Sequence, residues 1–256
     1  MDTHLPFLLL TGFMAGLMDA AVGGGGLLQI PGLFSLLPAG TPVPTVMGVN
    51  KFASSCGTGM ATAQFVRKIR VPWKMLLPAA VLAFIFSYSG AKLVAYIPTQ
   101  YMKPAMLVIM AVMFVYTFFK KNLGQTVRQH ALSPKEHRLG LLFGALIGFY
   151  DGVFGPGTGS LLAFIFVRFF AFDFMTATAS AKIINLTTNF AALSYFIPNG
   201  HINWTWALPL AAANLSGGLL GARLAMRGGS RFLRYGFILL LLIMISRFGY
   251  DVFSAH

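Results

Sequence analysis

The sequence predicts an all-α integral membrane protein, a multi-spanning helical bundle of two inverted repeats with short broken or re-entrant segments. About 8–10 membrane segments fit its length. Three observations carry that prediction. Of 256 residues, 57% are hydrophobic and 10% charged, with a mean hydropathy of +0.74, whereas a soluble domain carries about 25% charged residues. Apolar runs alternate with short basic connectors. The chain also repeats itself, and the basic connectors fall at opposite ends of the two copies.

In order, the first copy holds apolar runs at 5–22, 27–37, 43–66, 75–97 and 104–119. A charged connector covers 120–138, and the second copy follows with runs at 139–154, 160–167, 174–197, 204–222 and 235–245. This divides the chain into a first transmembrane repeat (1–119), a connector (120–138) and a second repeat (139–256). Most runs approach the ~20 residues that a bilayer core demands of a helix. Those at 27–37 and 160–167 are too short and read as half-helices. The N-terminus, Met1-Asp-Thr-His, lacks the basic start of a signal peptide, so the first run is expected to be retained.

The repeat centres on Gly16-Leu-Met-Asp-Ala-Ala-Val-Gly-Gly-Gly-Gly26, which returns 132 residues later as Gly148-Phe-Tyr-Asp-Gly-Val-Phe-Gly-Pro-Gly157. Gly16, Asp19, Gly23 and Gly25 fall on Gly148, Asp151, Gly155 and Gly157. At a spacing of 131 the register continues: Lys51 falls on Lys182, Phe65 on Phe196, Trp73 on Trp204 and Pro78 on Pro209. General apolarity does not align Asp, Lys, Trp and Pro in one register, so this is an internal duplication.

Charge gives the expected orientation. Arg67, Lys68, Arg70 and Lys74 precede the fourth run of the first copy, whereas the equivalent loop 198–205 holds no Lys or Arg. After the fourth run the bias reverses: Arg223, Arg227, Arg231 and Arg234 against Lys92 and Lys103. Positive loops face the cytoplasm, so equivalent loops lie on opposite sides. Five segments per copy place both termini outside and the connector, with its five basic residues, inside. Inverted repeats of this kind are a recurring plan of secondary transporters, with the site where the repeats meet.

The net charge of +13 raises nucleic-acid binding as a partner class. The basic residues cluster between apolar runs, however, and anchoring to the lipid bilayer explains them without a nucleic acid. The single cysteine, Cys56, has small neighbours and is expected to be a packing residue. No metal or other cofactor is expected.

Of six acids, only Asp19 and Asp151 sit inside apolar runs, at equivalent places. Insertion scales charge about 2.5–3.5 kcal/mol for an Asp at mid-helix. Two readings stand: a proton-coupling or gating carboxylate, and a structural ion pair or helix cap. Lys51 leads a polar line of Ser54, Thr58 and Thr62, and Lys182 leads Asn185 and Asn189 at the same spacings. One helix face therefore carries a cation followed by hydrogen-bonding groups. That face either lines an anion path, with Asn50 beside Lys51, or lets each lysine snorkel to its nearer interface.

Gly12, Gly16, Gly144 and Gly148, spaced by four, suit close helix packing. The cluster Gly23, Gly24, Gly25 and Gly26 reads instead as a helix break whose free amides and positive dipole end favour an anion. Gly155, Pro156 and Gly157 repeat the break. No Gly-Lys-Ser/Thr follows, so a phosphate loop is excluded. Asp151 lies thirteen residues beyond Arg138, ~20 Å along a helix. That depth predicts breaks staggered across the midplane, as two gates around one site. No catalytic residue is assigned and the chain is not expected to be an enzyme. Tyr150-Asp151 offers one of the Tyr-Asp pairs of an intramembrane aspartyl protease, but the partner motif needs a Gly directly before the other Asp, and Met18 stands before Asp19.

Three motifs extend this reading: Asp19-Ala-Ala-Val-Gly-Gly-Gly-Gly-Leu-Leu-Gln-Ile-Pro31, Val49-Asn-Lys51, and Gly148 to Gly157 with Ala181-Lys182. With them the chain resembles the TauE/SafE sulfite-exporter family, the TSUP permeases, over nearly its whole length. The resemblance implies a multi-pass permease of the bacterial inner membrane for a small anionic solute such as sulfite, thiosulfate or an organosulfonate. The expected function is therefore a secondary anion transporter, in which protons or another coupling ion drive the solute. A passive anion channel and, further off, an intramembrane protease are the alternatives.

Overall fold

The computed structural model describes residues 5–38, 40–119, 132–227 and 230–253. Among them are ten α-helices and no strand: α1 Leu5–Val22, α2 Gly26–Leu36, α3 Val43–Val66, α4 Trp73–Val94, α5 Thr99–Phe119, α6 Pro134–Val153, α7 Thr158–Phe170, α8 Phe174–Phe196, α9 Trp204–Met226 and α10 Ser230–Phe253. The all-α expectation holds. The helices α1 and α4, and the 99–116 stretch of α5, are long and apolar enough to cross a membrane.

Several boundaries lie outside the apolar runs, because a helix continues through polar residues as long as its backbone bonds close. The helix α4 starts two residues early, at Trp73, and α5 starts at Thr99, ahead of Pro104. The second copy's first helix begins at Pro134, inside what reads as connector. A reciprocal capping box starts it: Glu136 N donates to the Ser133 hydroxyl, and Ser133 N donates to the Glu136 carboxylate. Residues 120–131 of that connector lie outside the described residues. Asp173 caps α8 by accepting from the amides of Met175 and Thr176, both at 3.0 Å.

The helices α2 and α7 have 11 and 13 residues, ~16 and ~20 Å at 1.5 Å per residue, shorter than a ~30 Å hydrocarbon core. Both copies break at the same point. Gly23 and Gly155 share φ +83°, a left-handed value that side-chain-bearing residues avoid, and each reverses the backbone out of a long helix toward a short one.

Packing partners are exchanged between the copies. The helix α1 lies along α9, and its counterpart α6 lies along α4; α3 packs on α9, and α8 on α4. Contacts obey the sequence register residue by residue. A Cβ on Gly16 would strike the Asn214 carbonyl oxygen, and one on Gly148 would lie 2.6 Å from that of Ala83, the equivalent of Asn214. The polar helices α3 and α8 touch each other, and the four partners α1, α9, α4 and α6 enclose them. Leu77, Val81 and Ile85 on α4, and Val108, Val112 and Val115 on α5, form exposed apolar stripes suited to lipid. The opposite face of α5 buries Met102, Met106, Met110 and Met113. The helix α10 lies against α5, α1 and α2.

These contacts predict the effect of two alanines. Gly16→Ala forces a methyl into the α9 backbone, an overpacking of about 1–3 kcal/mol, and should lower the detergent Tm by about 2–4 °C per kcal/mol. Gly59→Ala meets only the flexible end of Leu186 at 3.7 Å, so its Tm should be unchanged or slightly raised.

Candidate functional site

Two buried ion pairs cross between the copies. Lys51 Nζ on α3 lies 2.6 Å from Asp151 Oδ2 on α6, with 2% and 1% of the two side chains exposed. Lys182 Nζ on α8 lies 2.6 Å from Asp19 Oδ2 on α1 and also donates to the Asp19 backbone carbonyl. Each lysine therefore takes its counter-ion from the other copy. Both lysines are fully buried, which removes the snorkelling reading. The geometry places both aspartates in ion pairs, an arrangement that a proton-coupling carboxylate shares. Held inside the bundle, two ammonium groups and two carboxylates cancel, as a low-dielectric interior requires.

The hydroxyls complete each carboxylate. Thr58 donates to Asp19 Oδ2 at 3.0 Å. The Thr158 hydroxyl lies 2.7 Å from Asp151 Oδ1 and 2.9 Å from the Gly155 carbonyl; its one proton goes to the stronger acceptor, the carboxylate. Tyr150 turns its hydroxyl away from the site, to the Pro156 carbonyl at 2.5 Å.

The two glycine breaks touch, which corrects the expectation of staggered gates. Ser160 N donates to the Gly23 carbonyl at 3.0 Å and Ser160 Oγ to that of Val22 at 2.7 Å. A Cβ on Gly23 would lie 2.5 Å from the Gly159 carbonyl carbon, so no side chain fits between the strands of backbone. Counting residues from Arg138 assumes that the helix starts at the interface; α6 starts earlier, at Pro134, and depth along one helix says nothing of how the next segment returns.

Beside this contact lies a small polar cavity, about 20 Å³ for the centre of a water-sized sphere, room for about one water. From the first copy Asp19, Gly23, Gly26, Asn50, Lys51 and Ser54 line it; from the second, Asp151, Gly155, Gly157, Asn185 and Asn189. Thr158 and Gly159, which the sequence reading did not single out, complete the wall. The remaining candidates lie outside it. Lys182 sits behind Asp19, and Thr58 serves that carboxylate. Gly24 lies under the Phe237 ring, and Gly25 under the Ala15 carbonyl and Asp19 Cβ. Pro156 packs its Cα over Gly26.

Two features make the cavity receptive. The first residues of α2 and α7, Gly26 and Thr158, both line it, so two positive helix ends converge there. Asn50 Oδ1 and Asn189 Nδ2, on residues at most 3% exposed, have no hydrogen-bond partner, a penalty that buried polar groups ordinarily avoid; of the two, only the Asn189 nitrogen is a donor that an anion accepts from. A further buried network went unread in the sequence: Asn214 Nδ2 donates to Gln29 Oε1 at 2.5 Å, and Gln29 Nε2 to the Asn50 carbonyl at 3.3 Å. Its signal was available, since an amide in an apolar helix needs a partner.

The family described as sulfite exporter TauE/SafE matches residues 8–248. Among similar proteins, a probable membrane transporter protein of Sinorhizobium sp. is 34% identical over 90% of this chain and 86% of its own. One from Haemophilus influenzae is 32% identical over 96% and 95%. The probable membrane transporter protein YfcA of Escherichia coli K12 is 30% identical over 96% and 90%. No solved structure matches the chain significantly. With the motifs of both copies gathered at one cavity and the match running from α1 into α10, the chain belongs to the TauE/SafE sulfite exporter family of membrane transporters.

Proposed function

We propose that the chain is a multi-pass secondary permease of the bacterial inner membrane for a small anion, a sulfur oxyanion such as sulfite or thiosulfate or an organosulfonate, and that it is not an enzyme. The observation that carries this is the cavity where the Lys51–Asp151 pair, the Asp19 carboxylate with Lys182 behind it, two helix N-termini and the unpartnered Asn189 amide nitrogen meet. Lysine, asparagine and backbone amides are donors suited to an oxyanion. The Asp151 carboxylate is the counter-ion that gives way to the anion at Lys51. At about 20 Å³ the cavity has room for about one water, so binding requires the Lys51–Asp151 pair to part and the breaks to separate. That movement supplies access. A permanently open channel would need a continuous wide path, which a cavity of this size does not offer. A proton-sharing aspartyl dyad is unlike this arrangement, in which each carboxylate holds its own ammonium.

The exchange of helix partners between equivalent segments supports the inverted-repeat plan, with the site between the repeats. Reporter fusions test its orientation. A fusion after Pro198 should report the outside and one after Arg227 the cytoplasm; the same side for both defeats the inverted plan.

Transport is tested in proteoliposomes by counterflow of labelled sulfite, thiosulfate and methanesulfonate. Wild-type protein should exchange at least one of these anions across the membrane. Removing one partner of a buried pair costs about 3–5 kcal/mol, while removing both is far milder. Lys51→Gln should therefore lower thermal stability sharply, and Lys51→Gln with Asp151→Asn should recover most of it. Counterflow should stay lost in both, since the anion's cation is gone. If the double variant exchanges anions at the wild-type rate, Lys51 does not hold the solute.

A further inference from the structure

The two ion pairs are equivalent in the sequence and different in the structure. Lys51 and Asp151 both form the cavity wall, and Lys51 spends one hydrogen bond on its partner, leaving two of the three protons on its ammonium. Lys182 is absent from that wall. It donates twice to Asp19, at the carboxylate and at the backbone carbonyl, and Thr58 adds a third bond to the same residue. Both carboxylates and Lys51 therefore face the solute's position, and of the four charges only Lys182 lies behind.

From this geometry we propose that Asp151, and not Asp19, is the proton carrier, and that the chain moves its anion together with one proton bound there. The proposal rests on the anion-permease reading above.

Charge at the cavity forces the assignment. Its wall carries one ammonium, Lys51, and two carboxylates, Asp19 and Asp151. With Lys182 behind Asp19 the closed site is neutral, so a monoanion added without a proton leaves one uncompensated negative charge at low dielectric. A proton on Asp151 changes the balance in one step. It adds to a carboxylate oxygen, neutralises the group and opens the Lys51–Asp151 pair. The freed N–H groups of Lys51 then donate to the anion's oxygens. Asp19 remains balanced by Lys182 behind it. The loaded site holds the anion, Lys51, neutral Asp151 and the closed Asp19–Lys182 pair, and is neutral for a monoanion. On release the proton returns to water, and Lys51 closes again on Asp151. The empty site, with both pairs shut, is also neutral.

A proton on Asp19 accomplishes none of this. It would free Lys182, which does not reach the wall, while Lys51 stayed bound to Asp151. Among the described residues of the cavity wall, Asp151 meets no charge besides Lys51 and Asp19. From α3 it faces Lys51, from α7 Thr158, and from α1 Asp19 across the cavity. From α8 come the neutral Asn185 and Asn189, with Lys182 committed to Asp19. The helix α4 brings the backbone of Ser87 and Ala91 against Gly152, and Tyr150 on its own helix is engaged with Pro156.

The test separates exchange from net movement. Proteoliposomes are assayed with labelled methanesulfonate and thiosulfate, whose charge is fixed near neutral pH, first by counterflow at equal pH and then under a pH gradient. At one proton per monoanion, a gradient of one pH unit should concentrate methanesulfonate about tenfold on the alkaline side, independently of an imposed potassium diffusion potential. Asp151→Asn mimics the protonated carrier, so it should keep counterflow and lose the accumulation. Asp19→Asn with Lys182→Gln, which keeps the site neutral, should reach the same final ratio as wild type, more slowly. An Asp151→Asn protein that still accumulates about tenfold per pH unit, or an Asp19→Asn/Lys182→Gln protein with counterflow and no accumulation, overturns the assignment alone. A wild-type protein without counterflow of either anion overturns the permease reading for these solutes, and the proton assignment with it.

Discussion

Everything else in the structure is arranged so that two lysines and two aspartates can stay ionised inside an apolar bundle. A charge in hydrocarbon is unfavourable by several kcal/mol even after relaxation, and only a partner at contact distance compensates. Because each lysine takes its aspartate from the other copy, neither half balances its own charge. That makes the halves interdependent in a way that apolar packing alone does not. In a bilayer, moreover, apolar packing carries no hydrophobic driving force between helices.

The glycines are the means of bringing those charges together. A carboxylate near the end of α1 or α6 reaches the opposite lysine because the backbone turns back at Gly23 or Gly155, at φ values open to glycine. Gly23 and Gly159 then meet backbone to backbone, which puts the first turns of α2 and α7 beside one cavity. Along the long helices the same residue type does different work. Gly16 and Gly148 let α1 and α6 settle onto α9 and α4 closely enough to shield the polar α3 and α8. The interior is mostly apolar with the polar residues gathered at the site, and the outer surface is apolar too, unlike that of a soluble bundle, as the exposed stripes of α4 and α5 show.

Much of this was legible in the sequence because the periodicities involved are local. Apolar runs marked every helix, and the run at 43–66 coincides with α3. Boundaries slipped where a helix continues into polar residues, as at Pro134, since hydropathy measures the solvent and not the backbone bonds. The candidate residues Asp19, Lys51, Asp151 and Lys182 could be chosen from chemistry alone. Their pairing could not, because Lys182 and Asp19 are 163 residues apart and Lys51 and Asp151 are 100 apart. The depth of a lysine along its helix is equally compatible with snorkelling, and only the neighbouring helices decide. Thr158 escaped notice for a related reason: its role depends on a turn through Gly155 and Gly157 that returns its hydroxyl to Asp151, and no helical spacing encodes that return.

The departure from symmetry is as informative as the symmetry. Thr58 and Asn189 occupy equivalent positions, yet Thr58 donates to Asp19, while Asn189 has an unpartnered amide atom and Asp151 takes Thr158 instead. The place equivalent to Thr158 is Gly26, which has no hydroxyl to give. The two carboxylates are therefore held by different devices, and their exposure differs accordingly: 1% for Asp151 and 13% for Asp19. In a carrier made of two equivalent copies, identical conformations in both would leave the site open to both sides or to neither. A state that favours one side requires the copies to differ. Unequal partners around equal aspartates give the duplicated chain that inequality without disturbing the charge balance that both halves share.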